Sequence, residues 1–146
     1  MVTKGPHAGD VSPTEAMELM RAEPAAQIVD VRTRPEWTFV GTADTSEAGR
    51  EPIGLEWQVY PHMGVDPDFA EKLESELERR GADKDAPLLF LCRSGARSAA
   101  AAITMTARGW TRAHNIAGGF EGGHDAEGHR GARDGWKAEG LPWRQG

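Results

Sequence analysis

The chain holds one cysteine, Cys92, inside Cys92-Arg93-Ser94-Gly95-Ala96-Arg97-Ser98, directly after the apolar run Pro87-Leu88-Leu89-Phe90-Leu91. Ala99-Ala100-Ala101-Ala102-Ile103 follows as a strong helix former. The unit reads as strand, tight loop, helix, with a thiol at the strand's carboxyl end, where ligands bind in open α/β sheets. Successive backbone N–H groups of such a loop can curl into an anion-binding nest, and the helix adds its positive N-terminal end. Arg93 and Arg97 add two guanidinium charges. The thiolate is the nucleophilic form of a cysteine, and each of these features favours an anion at that place. A lone intracellular cysteine is more often a small buried hydrophobe without a task. An inert core thiol, however, needs neither the glycine, the two arginines nor the helix start.

Other residues with chemical potential read less sharply. Asp30, Arg32 and Glu36 invite an acid–base reading, but Arg32 and Glu36 stand four apart and Asp30 ends a strand. They are expected to form an ion-pair network that braces the loops, since such networks mimic functional sites. His124, Asp125 and His129 suggest a metal site, yet they fall in a glycine-rich, irregular stretch from Gly118 to Gly135. Transition-metal ligands need better-fixed geometry, so no metal or other cofactor is expected. His62, His114, His124 and His129 are all open as a base beside Cys92. Gly118-Gly119 and Gly122-Gly123 lack the spacing of a nucleotide loop and fit a tight turn under the Cys92 loop. The five tryptophans are too scattered for a stacking platform and read as core or core-rim residues.

The positioning elements follow from pattern. Ser12-Pro13-Thr14-Glu15 is a capping-box start for a helix that Pro24 stops, and residues 1–10 read as a flexible lead-in to a single domain over 11–146. Ala25 to Val31 breaks simple alternation, as buried parallel strands do. A short helix is expected over Pro35 to Phe39, and a short strand over Trp57 to Tyr60. Asp66-Pro67 opens a helix with Phe69, Leu73 and Leu77 on one face, ended by Gly81. Leu88 to Leu91 is the central strand, Arg97 to Arg108 the next helix and Ala113 to Ile116 a last strand. Alternating helices and strands imply a parallel sheet covered on both faces.

Bulk composition narrows the class. At 146 residues, 38% hydrophobic and 27% charged, the chain suits one soluble globular domain. No run approaches a membrane span, and Met1 to Asp10 lacks the apolar core of a signal peptide. A single cysteine permits no internal disulfide, which suits a reducing cytoplasm. The net charge of −6, with no basic stripe, argues against nucleic acid as a partner. Residues 1–86 carry 9 basic and 18 acidic side chains, whereas 87–146 carry 8 basic and 5 acidic. A small anion would meet the second half, which holds Cys92.

Three elements in order resemble the rhodanese-like superfamily. Cys92-Arg93-Ser94-Gly95-Ala96-Arg97-Ser98 is similar to its active-site loop. Ile28-Val29-Asp30-Val31-Arg32 with Pro35-Glu36-Trp37 resembles its strand-ending Asp-x-Arg and nearby Glu-Trp. Asn115-Ile116-Ala117-Gly118-Gly119-Phe120, with Gly140-Leu141-Pro142-Trp143, resembles its closing strand, glycine turn and Gly-Leu-Pro ending. The segment from Gly41 to Glu56 departs from the pattern: it is longer and lacks the family's histidine.

The resemblance implies an α/β fold with a five-stranded parallel sheet and helices on both faces. It also implies a single-domain sulfurtransferase in which Cys92 takes sulfur from an anionic donor such as thiosulfate. The Cys92 persulfide then passes it to cyanide, a thiol or a thiol-bearing protein. Backbone N–H groups from Arg93, Ser94, Gly95, Ala96, Arg97 and Ser98 would hold the anionic sulfur, and Arg93 or Arg97 the donor's charged end. Two alternatives stay open. One is a noncatalytic module for sulfide sensing, persulfide carriage or regulation. The other is an arsenate reductase or phosphatase, whose loop places five residues between cysteine and arginine; here Arg97 follows after four.

Overall fold

A computed structural model describes residues 7–59 and 61–145; Met1–Pro6, Tyr60 and Gly146 lie outside the described residues. In chain order the elements are β1 (Gly9–Val11), α1 (Pro13–Ala22), β2 (Gln27–Asp30), α2 (Arg34–Phe39) and β3 (Thr42–Ala43). A 3-10 turn over Ser46–Ala48 leads to β4 (Ile53–Gly54), β5 (Gln58–Val59) and β6 (Gly64–Val65). Then come α3 (Phe69–Arg79), β7 (Leu88–Leu91), α4 (Ala96–Ala107), β8 (Ala113–Ile116) and β9 (Trp143–Arg144).

Five strands form one sheet in the order β1-β8-β7-β2-β4, and every neighbouring pair is parallel. The central strand β7 shows why the sheet is covered twice. Leu88 and Phe90 pack with Leu73 and Leu77 of α3 and with Ala101 and Met105 of α4. Leu89 and Leu91 point the other way, to Met17 and Met20 of α1 and to Phe120 and Trp136. Successive strand side chains alternate faces, so both sets must be apolar. Each such side chain contributes at most about 1.5–3 kcal/mol of burial. Ala101 and Ala102 are fully buried on α4, where a small side chain lets the helix approach the sheet closely.

Capping places α1 as its sequence demands. Ser12 Oγ accepts from Glu15 N at 3.0 Å, Glu15 Oε1 accepts from Ser12 N at 2.9 Å, and Pro13 opens the helix.

The structure differs from expectation at two places. The lead-in expected over 1–10 gives way at Gly9 and Asp10, which belong to β1 and pair with His114 and Asn115 of β8. Three residues are too few to show periodicity, and only the partner strand makes them a strand. The strand expected over Trp57 to Tyr60 shrinks to Gln58–Val59, which pairs antiparallel with β6 outside the main sheet; Tyr60 lies outside the described residues. The fifth strand of the main sheet is instead Ile53–Gly54, from the long irregular segment. That segment is pinned in place. Arg50 donates to the carbonyls of Met20, Ala26 and Ala48 at 2.5, 2.9 and 3.1 Å.

Candidate active site

Cys92 leaves β7 at its carboxyl end with its side chain 1% exposed, while Arg93, Ser94 and Ala96 stand exposed around it. Gly95 takes φ +119° directly before α4, a backbone conformation that favours glycine. That turn aims Gly95 N–H at Cys92 Sγ, 3.1 Å away. Ser98 Oγ, on the first turn of α4, lies 3.1 Å from the same sulfur. Among the described residues these two groups are the hydrogen-bond partners of Sγ, and no histidine is one of them. His62, His124 and His129 are exposed, and burial pushes His114 below the usual imidazole range.

The back of the loop is bonded to the turn after β8. Phe120 N–H donates to Cys92 O at 2.8 Å, and the N–H groups of Glu121 and Gly122 donate to Arg93 O at 3.0 and 3.1 Å. Gly119 is forced at that contact: φ is +62°, and a Cβ there would sit 2.7 Å from the carbonyl carbon of Arg93. The glycine turn therefore lies under the Cys92 loop, as the spacing suggested.

The two arginines of the loop part company. Arg97 makes a two-pronged pair with Glu36 of α2, at 2.7 and 3.0 Å. Burial pushes the Glu36 carboxyl up, but the Arg97 hydrogen bonds and charge, with Thr33, outweigh it and hold the group at about 2. Burial likewise pulls Arg97 down, and Glu36 more than offsets it. The Arg93 side chain has no ion-pair or hydrogen-bond partner among the described residues and faces solvent.

Asp30 and Arg32 form a separate, buried pair, Nη2 to Oδ2 at 2.8 Å. Arg32 Nη2 also donates to Gly41 O at 2.7 Å, and the guanidinium lies over the Phe120 ring at 4.4 Å. Arg32 thus ties the end of β2 to Gly41 and to the turn under Cys92. Glu36 joins Arg97 rather than Arg32, because α2 leads it across the sheet end toward α4. Two further residues at the site were missed from sequence. Asn115 accepts from Ser98 Oγ at 2.5 Å and donates to Asp10 Oδ1 at 3.2 Å. An amide within the short β8 segment, beside the nucleophile strand, was the signal for Asn115. Among the described residues no group of three or more His, Cys, Asp or Glu gathers as metal ligands.

Residues 12–126 match the family described as Rhodanese-like domain. The chain belongs to this family. It is 35% identical over 136 residues to the uncharacterized protein RC0915 of Rickettsia conorii, across 92% of this chain and 96% of that one. A protein of Rickettsia prowazekii is 28% identical over 135 residues with the same coverage. The crystal structure of Rv0390 from M. tuberculosis superposes with a TM-score of 0.83 at 47% identity, covering 97% of this chain and all of that one. The polysulfide-sulfur transferase homodimer of Wolinella succinogenes shares the fold at TM-score 0.57 and 23% identity, over 94% of this chain and 78% of that one. The described structure brings together the Cys92 loop, the glycine turn beneath it and the buried Asp30–Arg32 pair at the end of β2. No helix among the described residues is long and apolar enough to cross a membrane.

Proposed function

We propose that this rhodanese-like domain is a sulfurtransferase that carries sulfane sulfur on Cys92. The observation that carries the reading is the sulfur's setting: Sγ sits at the foot of a short loop with Gly95 N–H aimed at it from 3.1 Å. The Cys92 thiolate attacks the outer sulfur of an anionic donor such as thiosulfate. A Cys–S bond forms, the donor's S–S bond breaks, and sulfite leaves with the electron pair. An acceptor thiolate or cyanide then attacks the outer sulfur of the persulfide and returns Cys92 as thiolate. This is covalent catalysis by double displacement, and it requires neither metal nor cofactor.

Arg93 is the guanidinium free to steer the donor's charge, whereas Arg97 is engaged by Glu36. The same engagement, with the shorter loop, speaks against a phosphatase or arsenate reductase, which needs its loop arginine for the oxyanion. The acceptor is a small thiol or a thiol-bearing protein, and the unpaired cysteine suits a cytoplasmic setting.

Intact mass spectrometry tests the reading. Thiosulfate is expected to add the mass of one sulfur atom at Cys92, and cyanide or dithiothreitol to remove it. Cys92→Ser is expected to gain nothing. No gain in the unmodified protein sinks the transferase reading in favour of a noncatalytic binding module.

A further inference from the structure

A chain of hydrogen bonds runs from the sulfur to the sheet's edge and has no part in the attack itself. Ser98 Oγ lies 3.1 Å from Cys92 Sγ and 2.5 Å from Asn115 Oδ1, and Asn115 Nδ2 lies 3.2 Å from Asp10 Oδ1. Ser98 and Asn115 are buried, and Asp10 stands 61% exposed on β1. Donor and acceptor roles along this chain are not free. An ionised carboxylate only accepts, so Asp10 takes the amide nitrogen of Asn115. The amide oxygen is thereby turned to Ser98, and that oxygen also only accepts. It therefore takes the single proton of the Ser98 hydroxyl. What Ser98 presents to the sulfur is a lone pair, and the donor left for the 3.1 Å contact is S–H.

We propose that Asp10 and Asn115 are positioning residues that hold the Ser98 hydroxyl as an acceptor toward Cys92, favouring the protonated thiol in the resting protein. The inference rests on Cys92 being the reactive group of the site. Gly95 N–H pulls the other way, since it donates to the sulfur in any state. For Ser98 to donate to a thiolate or persulfide, it must give up Asn115. The site thus carries a brake whose release requires one hydroxyl to rotate.

Charged groups surround the thiol from each neighbouring element. Arg93 comes from the loop and Arg97 from α4, with Glu36 of α2 paired to it. Asp30 and Arg32 stand at the end of β2, and Glu121 follows the turn bonded to Arg93 O. His7 lies 3.4 Å from Asp10, and His114 precedes Asn115 on β8. These set the field at the sulfur, but they do not choose which side of the Ser98 hydroxyl faces it.

The sign of one shift decides the question. The pH dependence of Cys92 alkylation by iodoacetamide is read by intact mass for the full chain and three variants. Ser98→Ala removes an acceptor, so its midpoint is expected to fall by about half to one pH unit. A rise, or no change, means Ser98 donates to the sulfur or does not act on it, and overturns the proposal. Asp10→Ala frees the Asn115 amide to turn over, and its midpoint is expected to fall as well. Asp10→Glu keeps a carboxylate that only accepts, and is expected to hold the wild-type midpoint. Equal shifts in the two Asp10 variants, or none in Asp10→Ala, also overturn it. Asp10 is exposed, so these two variants remain decisive if Ser98→Ala fails to fold. Alkylation involves no sulfur transfer. A protein that takes no sulfur from thiosulfate yet shows these shifts would lose the transferase reading and keep this one.

Discussion

Glu36→Gln isolates the ion pair that holds the Cys92 loop to the far side of the site. Burial alone would raise the Glu36 carboxyl above 4.5, yet Arg97 and Thr33 hold it at about 2. A gap of about 2.5 units corresponds to about 3 kcal/mol between the ionised and neutral forms. The two side chains are 17% and 19% exposed, so solvent screening leaves about 2 kcal/mol of this. The folded-state value lies below the unfolded one. The contribution is therefore complete above about pH 5 and is lost as pH falls through about 2. At neutral pH, Glu36→Gln is expected to lower the melting temperature by about 5–8 °C for a domain of this size. Between pH 5 and 2 the wild-type melting temperature is expected to fall more steeply than the variant's.

Glu76 is the control, because its carboxyl is also held at about 2, by Arg79 and Arg80, but on the outer face of α3. Glu76→Gln is expected to cost less than about 1 kcal/mol, since Glu76 is 29% exposed and its partner Arg79 69%, so solvent screens this pair more than Glu36–Arg97. Circular-dichroism melts at steps from pH 7 to pH 2 make the comparison. Equal losses in the two variants, or a Glu36→Gln melt matching wild type, would refute the assignment of Glu36–Arg97 as the brace of the loop.

Arg93→Ala is expected to reduce kcat/KM for thiosulfate about ten- to a hundred-fold without changing the melt, and Arg93→Lys to recover part of the loss. Arg97→Ala should instead lose stability alongside activity, and added salt should raise the donor KM, all read by steady-state kinetics with parallel melts. Gly119→Ala is expected to abolish transfer and lower the melting temperature sharply, because its Cβ meets backbone of the Cys92 loop. Gly140→Ala, with φ +75° and open space, should cost only about 1 kcal/mol of backbone strain. Against p-nitrophenyl phosphate and arsenate, no Cys92-dependent turnover is expected in colorimetric assays.

What could be read from sequence is what neighbouring residues decide among themselves. Leu88–Leu91 followed by Cys92, Gly95 and an alanine run announces strand, loop and helix within one window, and α4 begins at Ala96, one residue before the expected start. Ser12-Pro13-Thr14-Glu15 closes its own capping box. Partners distant along the chain were not legible. Glu36 and Arg97 are 61 positions apart and Asp10 and Asn115 are 105 apart, and nothing local to either member names the other. The two-residue strand β4 was hidden for the same reason: it is a strand only because β2 presents an edge to it. The five-strand count came from family resemblance, not from periodicity.

The family match stops at residue 126, yet the turn beneath Cys92 is shored up from beyond it. Trp136 is fully buried; its backbone N–H donates to Gly119 O at 2.8 Å, and its indole donates to Pro142 O at 2.7 Å. At the other end, β1 begins before residue 12 and caps the free side of β8. A chain trimmed to the matched boundaries would keep every residue of the cysteine loop and lose its foundations. It would bare the β8 edge as a template for pairing between molecules and leave the Phe120 side of the core open to water. The contacts that hold the cysteine loop and cover the β8 edge therefore reach past both ends of the segment by which the family is recognised.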